Sequence, residues 1–111
     1  MTLSSHVLDG ARGVPATGVS VRWERRDGEA WHRVAEAVTG DDGRVTDWGG
    51  DRPLDPGTHR LVFGSGDYFS ARGVDTFYPE VVVVFAVADG ARHHHVPLLL
   101  SPFSYSTYRG S

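Results

Sequence analysis

Apolar and polar residues alternate with a period of two along most of this chain, and turn residues interrupt the pattern every few positions. That combination fits strands and not helices. Val19, Val21 and Trp23 alternate with Ser20, Arg22 and Glu24, as a half-buried strand requires. Asp27-Gly28 reads as a turn into a partner strand over Trp31–Val38. Further strands are expected at Leu3–Leu8, His59–Phe63, Val81–Val87, Arg92–Leu100 and Phe103–Tyr108, with Asp89-Gly90 as a hairpin turn. Gly40-Asp41-Asp42-Gly43 is a tight polar turn ahead of Arg44, and Gly49 to Gly57 is a Gly/Pro/Asp-rich loop. One helical piece of about two turns stands out at Gly66–Gly73, with Asp67 as N-cap and Gly73 as stop. About eight strands and one short helix predict an all-β, two-sheet sandwich, in one domain over residues 1–111.

Val81 to Val87 is apolar at every position, so both faces of that strand need cover. The chain has little material left to supply it, which predicts self-association. The apolar stretch Val96-Pro97-Leu98-Leu99-Leu100 points the same way.

Composition narrows the chemistry. A net charge of −3 gives no reason to expect nucleic acid or an anionic membrane as partner. Lysine is absent, which removes Schiff-base catalysis. Cysteine is absent too, which removes disulfides, thiolate nucleophiles and thiolate zinc sites. Met1 to His6 lacks the basic and apolar regions of a signal peptide, and no apolar run is long enough to span a bilayer, so a cytoplasmic protein is expected.

Histidine is the side chain suited to proton transfer near neutral pH, and it occurs here as His93-His94-His95 and alone at His6. In a strand, His93 and His95 project from one face and His94 from the other. A solvent-facing histidine run can equally be idle. His-x-His with His6 offers three zinc ligands on paper, but no carboxylate motif or cysteine supports the site, so neither metal nor cofactor is expected. Arg44 after its turn and Arg109 near the chain end each have a bland reading as solvated side chains.

The combination is more specific. His6-Val7-Leu8-Asp9, Gly13-Val14-Pro15-Ala16, Phe77-Tyr78-Pro79-Glu80-Val81 and the run from His95 to Thr107 together resemble the transthyretin-like family over the whole chain. That family includes hormone carriers and hydrolases of purine degradation. The hydrolase branch is similar to this chain at His6, Arg44, His95 and Tyr108-Arg109-Gly110-Ser111, whereas the carriers replace these groups. One departure is His94, where the family commonly has tyrosine.

The resemblance implies a transthyretin-like sandwich assembled as a homotetramer, a dimer of dimers with active sites in the channel between dimers. The implied activity is hydrolysis of 5-hydroxyisourate to 2-oxo-4-hydroxy-4-carboxy-5-ureidoimidazoline. His6 and His95 would transfer protons, and Arg44 would hold a carbonyl or developing oxyanion. Tyr108 and Arg109 would hold substrate, and Ser111 would help position substrate and water. The alternative is a transthyretin-like carrier of an aromatic ligand, which needs an apolar lining and few convergent proton donors. A non-enzymatic β-sandwich adhesion or accessory domain fits the motifs less well.

Overall fold

The computed structural model describes residues 3–111. Met1 and Thr2, the start of the stretch read above for a leader, lie outside the described residues. Among the described residues the strands are β1 (Leu3–Asp9), β2 (Val14–Pro15), β3 (Ser20–Asp27), β4 (Ala30–Val38), β5 (Arg44–Val45), β6 (Gly57–Phe63), β7 (Val81–Val87), β8 (His94–Ser101) and β9 (Ser104–Thr107). The helix α1 (Ser65–Ser70) joins β6 to the segment before β7.

These strands form the two-sheet sandwich that the alternation predicts. One sheet runs β2-β1-β8-β9, with β5 also paired to β1; the other runs β4-β3-β6-β7. β1 and β8 are parallel neighbours, so the first strand and a strand near the chain's end lie side by side. Inward positions of both sheets meet in a core built on Trp23, Trp48, Leu61, Phe63, Phe69, Leu98 and Leu100. Val19, Val21 and Trp23 are buried as their spacing requires. A register shift between Trp23 and Glu24 turns Glu24 into a sheltered position, where its carboxylate accepts hydrogen bonds from Arg22 at 2.9 Å and Arg60 at 2.6 Å. Burial alone would raise the Glu24 carboxyl, but the two guanidinium bonds outweigh it and hold its pKa below the ordinary value.

The family-like motifs prove to be structural joints. Asp9, at the end of β1, is buried and accepts the Ala11 and Arg12 amides on Oδ1 and the Tyr68 hydroxyl on Oδ2. It thereby ties the turn after β1 to α1. The segment Thr76-Phe77-Tyr78 docks on the β8–β9 turn: the Thr76 hydroxyl and the Phe77 amide both donate to the Pro102 carbonyl, and Tyr78 stacks edge-on against Tyr105.

Two local expectations need correction. Asp89-Gly90 does not close a hairpin, because β7 pairs with β6 whereas β8 pairs with β1 and β9 in the opposite sheet. The segment crosses between sheets, and Gly90 is required because any Cβ there would collide with the Leu54 carbonyl. Asp-Gly announces a turn without saying whether the flanking strands pair.

Asp67 is not the helix N-cap. α1 starts at Ser65 after Gly64, with no side-chain cap, and Asp67 lies in its first turn. Gly66 packs against the Pro79 backbone with no room for a Cβ, and Gly64 lies against the Ser20 side chain, so tertiary contact sets the start in place of capping preference. The stop is as expected: Gly73 has φ +68°, and the amides of Gly73 and Val74 return to the carbonyls of Ser70 and Phe69.

β7 is an edge strand with its ends, Val81 and Val87, in the core, while Val82 and Val84 on its outer face are exposed. Among the described residues no helix is long and apolar enough to cross a membrane.

A buried histidine escaped the reading of the sequence. His59 on β6 is fully buried, with Nδ1 accepting from Trp23 Nε1 at 3.0 Å and Nε2 donating to the Asp55 carbonyl at 2.7 Å. Phe85 stacks on its ring. Burial lowers its pKa below the ordinary 6.5, and Arg25 and His94 add to that against the carbonyl and carboxylate of Asp55. The unfolded chain therefore binds a proton at His59 at higher pH than the folded chain does. Its contribution to stability is complete above pH 6.5 and declines as pH falls from there toward the lowered native value. The urea midpoint is expected to drop between about pH 7.5 and about pH 5, and His59→Gln should flatten part of that drop. A level midpoint in the parent chain would contradict the assignment.

Candidate active site

Strand alternation puts Ser4 and His6 of β1 on the outer face of their sheet, opposite to core-facing Leu3, Ser5 and Val7. β5 lies antiparallel on β1 with His6 directly across from Arg44, so these two residues share that face. The turn before β5 makes the pairing possible. Gly43 has φ +77°, its amide donates to the Gly40 carbonyl, and its own carbonyl accepts the Val7 amide at 2.8 Å. A Cβ at Gly43 would collide with the Val7 carbonyl. The same turn orients the site: His6 Nε2 donates to the Asp42 carbonyl at 2.9 Å, and the Asp42 carboxylate accepts the Arg44 amide at 3.0 Å.

On the other side of β1, the parallel register sets Ser4 beside His95 and His6 beside Pro97. His95 therefore shares the outer face with His6 and Arg44. Its Nδ1 lies 2.7 Å from Ser4 Oγ, and the same oxygen lies 2.9 Å from His93 Nε2. Nε2 of His95 has no hydrogen-bond partner among the described residues. Burial lowers the His95 pKa, and the nearby Arg44, His6 and His93 lower it further. The ring is thus held neutral near pH 7, able to accept a proton.

The tail reaches the same ring. The Gly110 amide donates to the His95 carbonyl at 2.9 Å, and the backbone packs so closely that a Cβ at Gly110 would strike the imidazole. This contact turns Tyr108 and Arg109 along a cleft of about 320 Å³ that His95, His94 and β7 residues Val83 to Ala86 also line. Tyr108 is 59% exposed, so its ring is not part of the core. Ser111 lies exposed beyond Gly110. His94 points inward, buried, with Nδ1 donating to the Arg92 carbonyl, and it does not share the face of His95. A larger hollow of about 390 Å³ against Trp23 and Trp48 holds none of these proton-transfer groups. Among the described residues no three His, Cys, Asp or Glu side chains are placed to share a metal ion.

The structure thus brings His6, Arg44 and His95 to one sheet face, with Tyr108 and Arg109 beyond His95 and Ser111 outermost. Ser4 was missed from the sequence. Its signal was present, since two residues before His6 in a strand is the same face.

A β-sandwich that brings two histidines and an arginine to one open sheet face holds side chains with acid–base capacity. The chain belongs to the HIUase/Transthyretin family, whose model matches residues 3–110. It is 49% identical to a 5-hydroxyisourate hydrolase of Caulobacter vibrioides, over 98% of this chain and 97% of that protein. It is 47% identical to a probable 5-hydroxyisourate hydrolase of Caenorhabditis elegans, over 99% of this chain and 82% of that one. The structure of Klebsiella pneumoniae 5-hydroxyisourate hydrolase superposes with a TM-score of 0.86 at 35% identity, covering both chains fully. Sea bream transthyretin in complex with thyroxine superposes with a TM-score of 0.92 at 29% identity, covering 99% of this chain and 95% of the other. Both kinds of protein share the backbone closely, so the fold does not separate a hydrolase from a carrier. Side chains must.

Proposed function

We propose that this chain, a single domain over residues 1–111, hydrolyses 5-hydroxyisourate, adding water across an amide-type C–N bond to open the six-membered ring. The observation that carries the reading is the shared face of His6, Arg44 and His95, with the tail bonded to His95. Ring opening needs a base for water, a proton for the departing nitrogen and a counter-charge for the carbonyl oxygen. His6 and His95 are the side chains on this face suited to the proton transfers. Arg44 offers a planar fork of donors to the carbonyl edge or the oxyanion. Tyr108 and Arg109 hold the planar substrate, and Ser111 helps to position it and the attacking water. The product of this step is 2-oxo-4-hydroxy-4-carboxy-5-ureidoimidazoline. The chemistry asks for no metal or cofactor, and a cytoplasmic setting belongs to the same reading.

The working form is a homotetramer, a dimer of dimers, with each site facing the channel between dimers. Support comes from the open outer face of β7 and from exposed Leu99, Phe103 and Tyr105 of the β8–β9 hairpin. A second subunit over this face would exclude water and strengthen every charge interaction in it.

A carrier would bind an aromatic ligand without turning it over, and the histidine–arginine face disfavours that. Ultraviolet absorbance of 5-hydroxyisourate generated by uricase decides between them. The chain is expected to accelerate its decay well beyond the spontaneous rate; binding without acceleration would establish the carrier.

A further inference from the structure

We propose that Ser4 and His93 are positioning residues that form a proton relay behind His95, so that one imidazole serves as base and then as acid. The inference rests on the hydrolase reading above and assigns within it what that reading left open.

The geometry is a single hydroxyl between two rings. Ser4 Oγ lies 2.7 Å from His95 Nδ1 and 2.9 Å from His93 Nε2. A hydroxyl has one proton, so it donates to one ring nitrogen and must accept from the other. With both rings neutral, only two arrangements satisfy the bridge. In the first, His95 Nδ1–H donates to Ser4, Ser4 donates to His93 Nε2, and His95 Nε2 carries a lone pair. In the second, His93 Nε2–H donates to Ser4, Ser4 donates to His95 Nδ1, and His95 carries its proton on Nε2. The serine forces the outward nitrogen of His95 to be a base when His93 Nε2 is an acceptor, and an acid when it is a donor.

The reaction uses both. In the first arrangement, His95 Nε2 takes a proton from water as the water oxygen bonds the substrate carbonyl carbon and the carbonyl π pair moves to oxygen, facing Arg44. The Nδ1 proton passes to Ser4 Oγ, and the Ser4 hydroxyl proton passes to His93 Nε2. His95 and Ser4 end neutral, and His93 holds the added charge. When the oxyanion collapses and the C–N bond breaks, Nε2–H protonates the departing nitrogen and the relay runs back. The elements of water are then added across the bond, and the side chains are as they began.

Placement of the charge favours this direction. His95 is partly buried and faces Arg44 on β5 and His6 on β1, a poor location for an imidazolium. His93 is exposed, where water solvates the cation. His6, whose Nε2 is engaged by the Asp42 carbonyl, is left to hold substrate.

The test compares Ser4→Ala, Ser4→Thr and His93→Gln in the full chain, with folding followed by circular dichroism. Ser4→Ala is expected to lower kcat by on the order of 10-fold or more with little change in KM, and to shift the acidic limb of the pH profile. Ser4→Thr keeps the hydroxyl and should restore both. His93→Gln should match Ser4→Ala, and the double variant should cost no more than either single one, because both break one relay. Nitrogen-15 NMR of the imidazoles, without substrate, should find the same tautomer at His93 and His95, both Nδ1–H or both Nε2–H, and loss of that coupling in Ser4→Ala. Unchanged kcat in folded Ser4→Ala, or additive losses in the double variant, would overturn the relay; opposite tautomers in the parent chain would overturn the bridge itself. A parent chain inert toward 5-hydroxyisourate would instead overturn the hydrolase reading and the relay's catalytic part, while matching tautomers would still uphold the bridge.

Discussion

His95→Ala is expected to lower kcat for freshly generated 5-hydroxyisourate by about 10²–10⁴-fold, the range typical of losing a positioned general base or acid. The loss should fall on kcat, since Arg44, His6 and the tail residues remain to bind substrate. Folding should survive, because the ring lies on the outer sheet face and the strand around it is anchored by Val96, Leu98 and Leu100 in the core. A weaker effect is expected for His6→Ala, whose ring is engaged by the Asp42 carbonyl. Stopped-flow ultraviolet absorbance gives both rates, and an unaltered rate in His95→Ala would remove His95 from the chemistry.

Deleting Tyr108 to Ser111 is expected to cost on the order of 10²-fold in activity while preserving the proposed tetramer. The Gly110 amide fixes the His95 backbone, and the tail backbone closes over the imidazole, so its removal frees the ring from the geometry the reaction needs. β9 ends at Thr107 and keeps its pairing with β8, including the Thr107 hydroxyl bond to the Pro97 carbonyl, so the sheet does not depend on the tail. Light scattering after gel filtration checks the assembly alongside the rate. Full activity in the truncated chain would make the tail idle; loss of the tetramer would make it an assembly element. Gly110→Ala is a finer probe, since its added Cβ must displace the His95 ring.

What could be read in advance, and what could not, divides along the range of the interactions. Strand positions were legible at Val19, Val21 and Trp23 because a half-buried strand writes its two faces into neighbouring residues. The turn at Gly40 to Gly43 and the stop at Gly73 were legible because each is satisfied by hydrogen bonds a few residues away. His6, Arg44, His95 and the tail were singled out because the family's motifs carry them, and the alternation of β8 alone separates His94 from His95. Pairing across long distances was not legible. Asp89-Gly90 has the chemistry of a hairpin, yet its strands belong to different sheets, and only the tertiary structure shows their partners. The start of α1 was misjudged at Asp67 because the close approach of Gly64 to Ser20 and of Gly66 to Pro79 overrides a local cap.

The sequence by itself determined a β-sandwich through its periodicity, and pointed to the residues of the site through their resemblance to the family's motifs. Only the tertiary structure decided that His6 faces Arg44, that Gly110 closes on His95, and that one serine hydroxyl joins His93 to His95. The serine contacts span 89 and 91 residues, and His6 reaches Asp42 across 36. The register between strands sets them, and register is a property of the packed sheets that no single strand encodes.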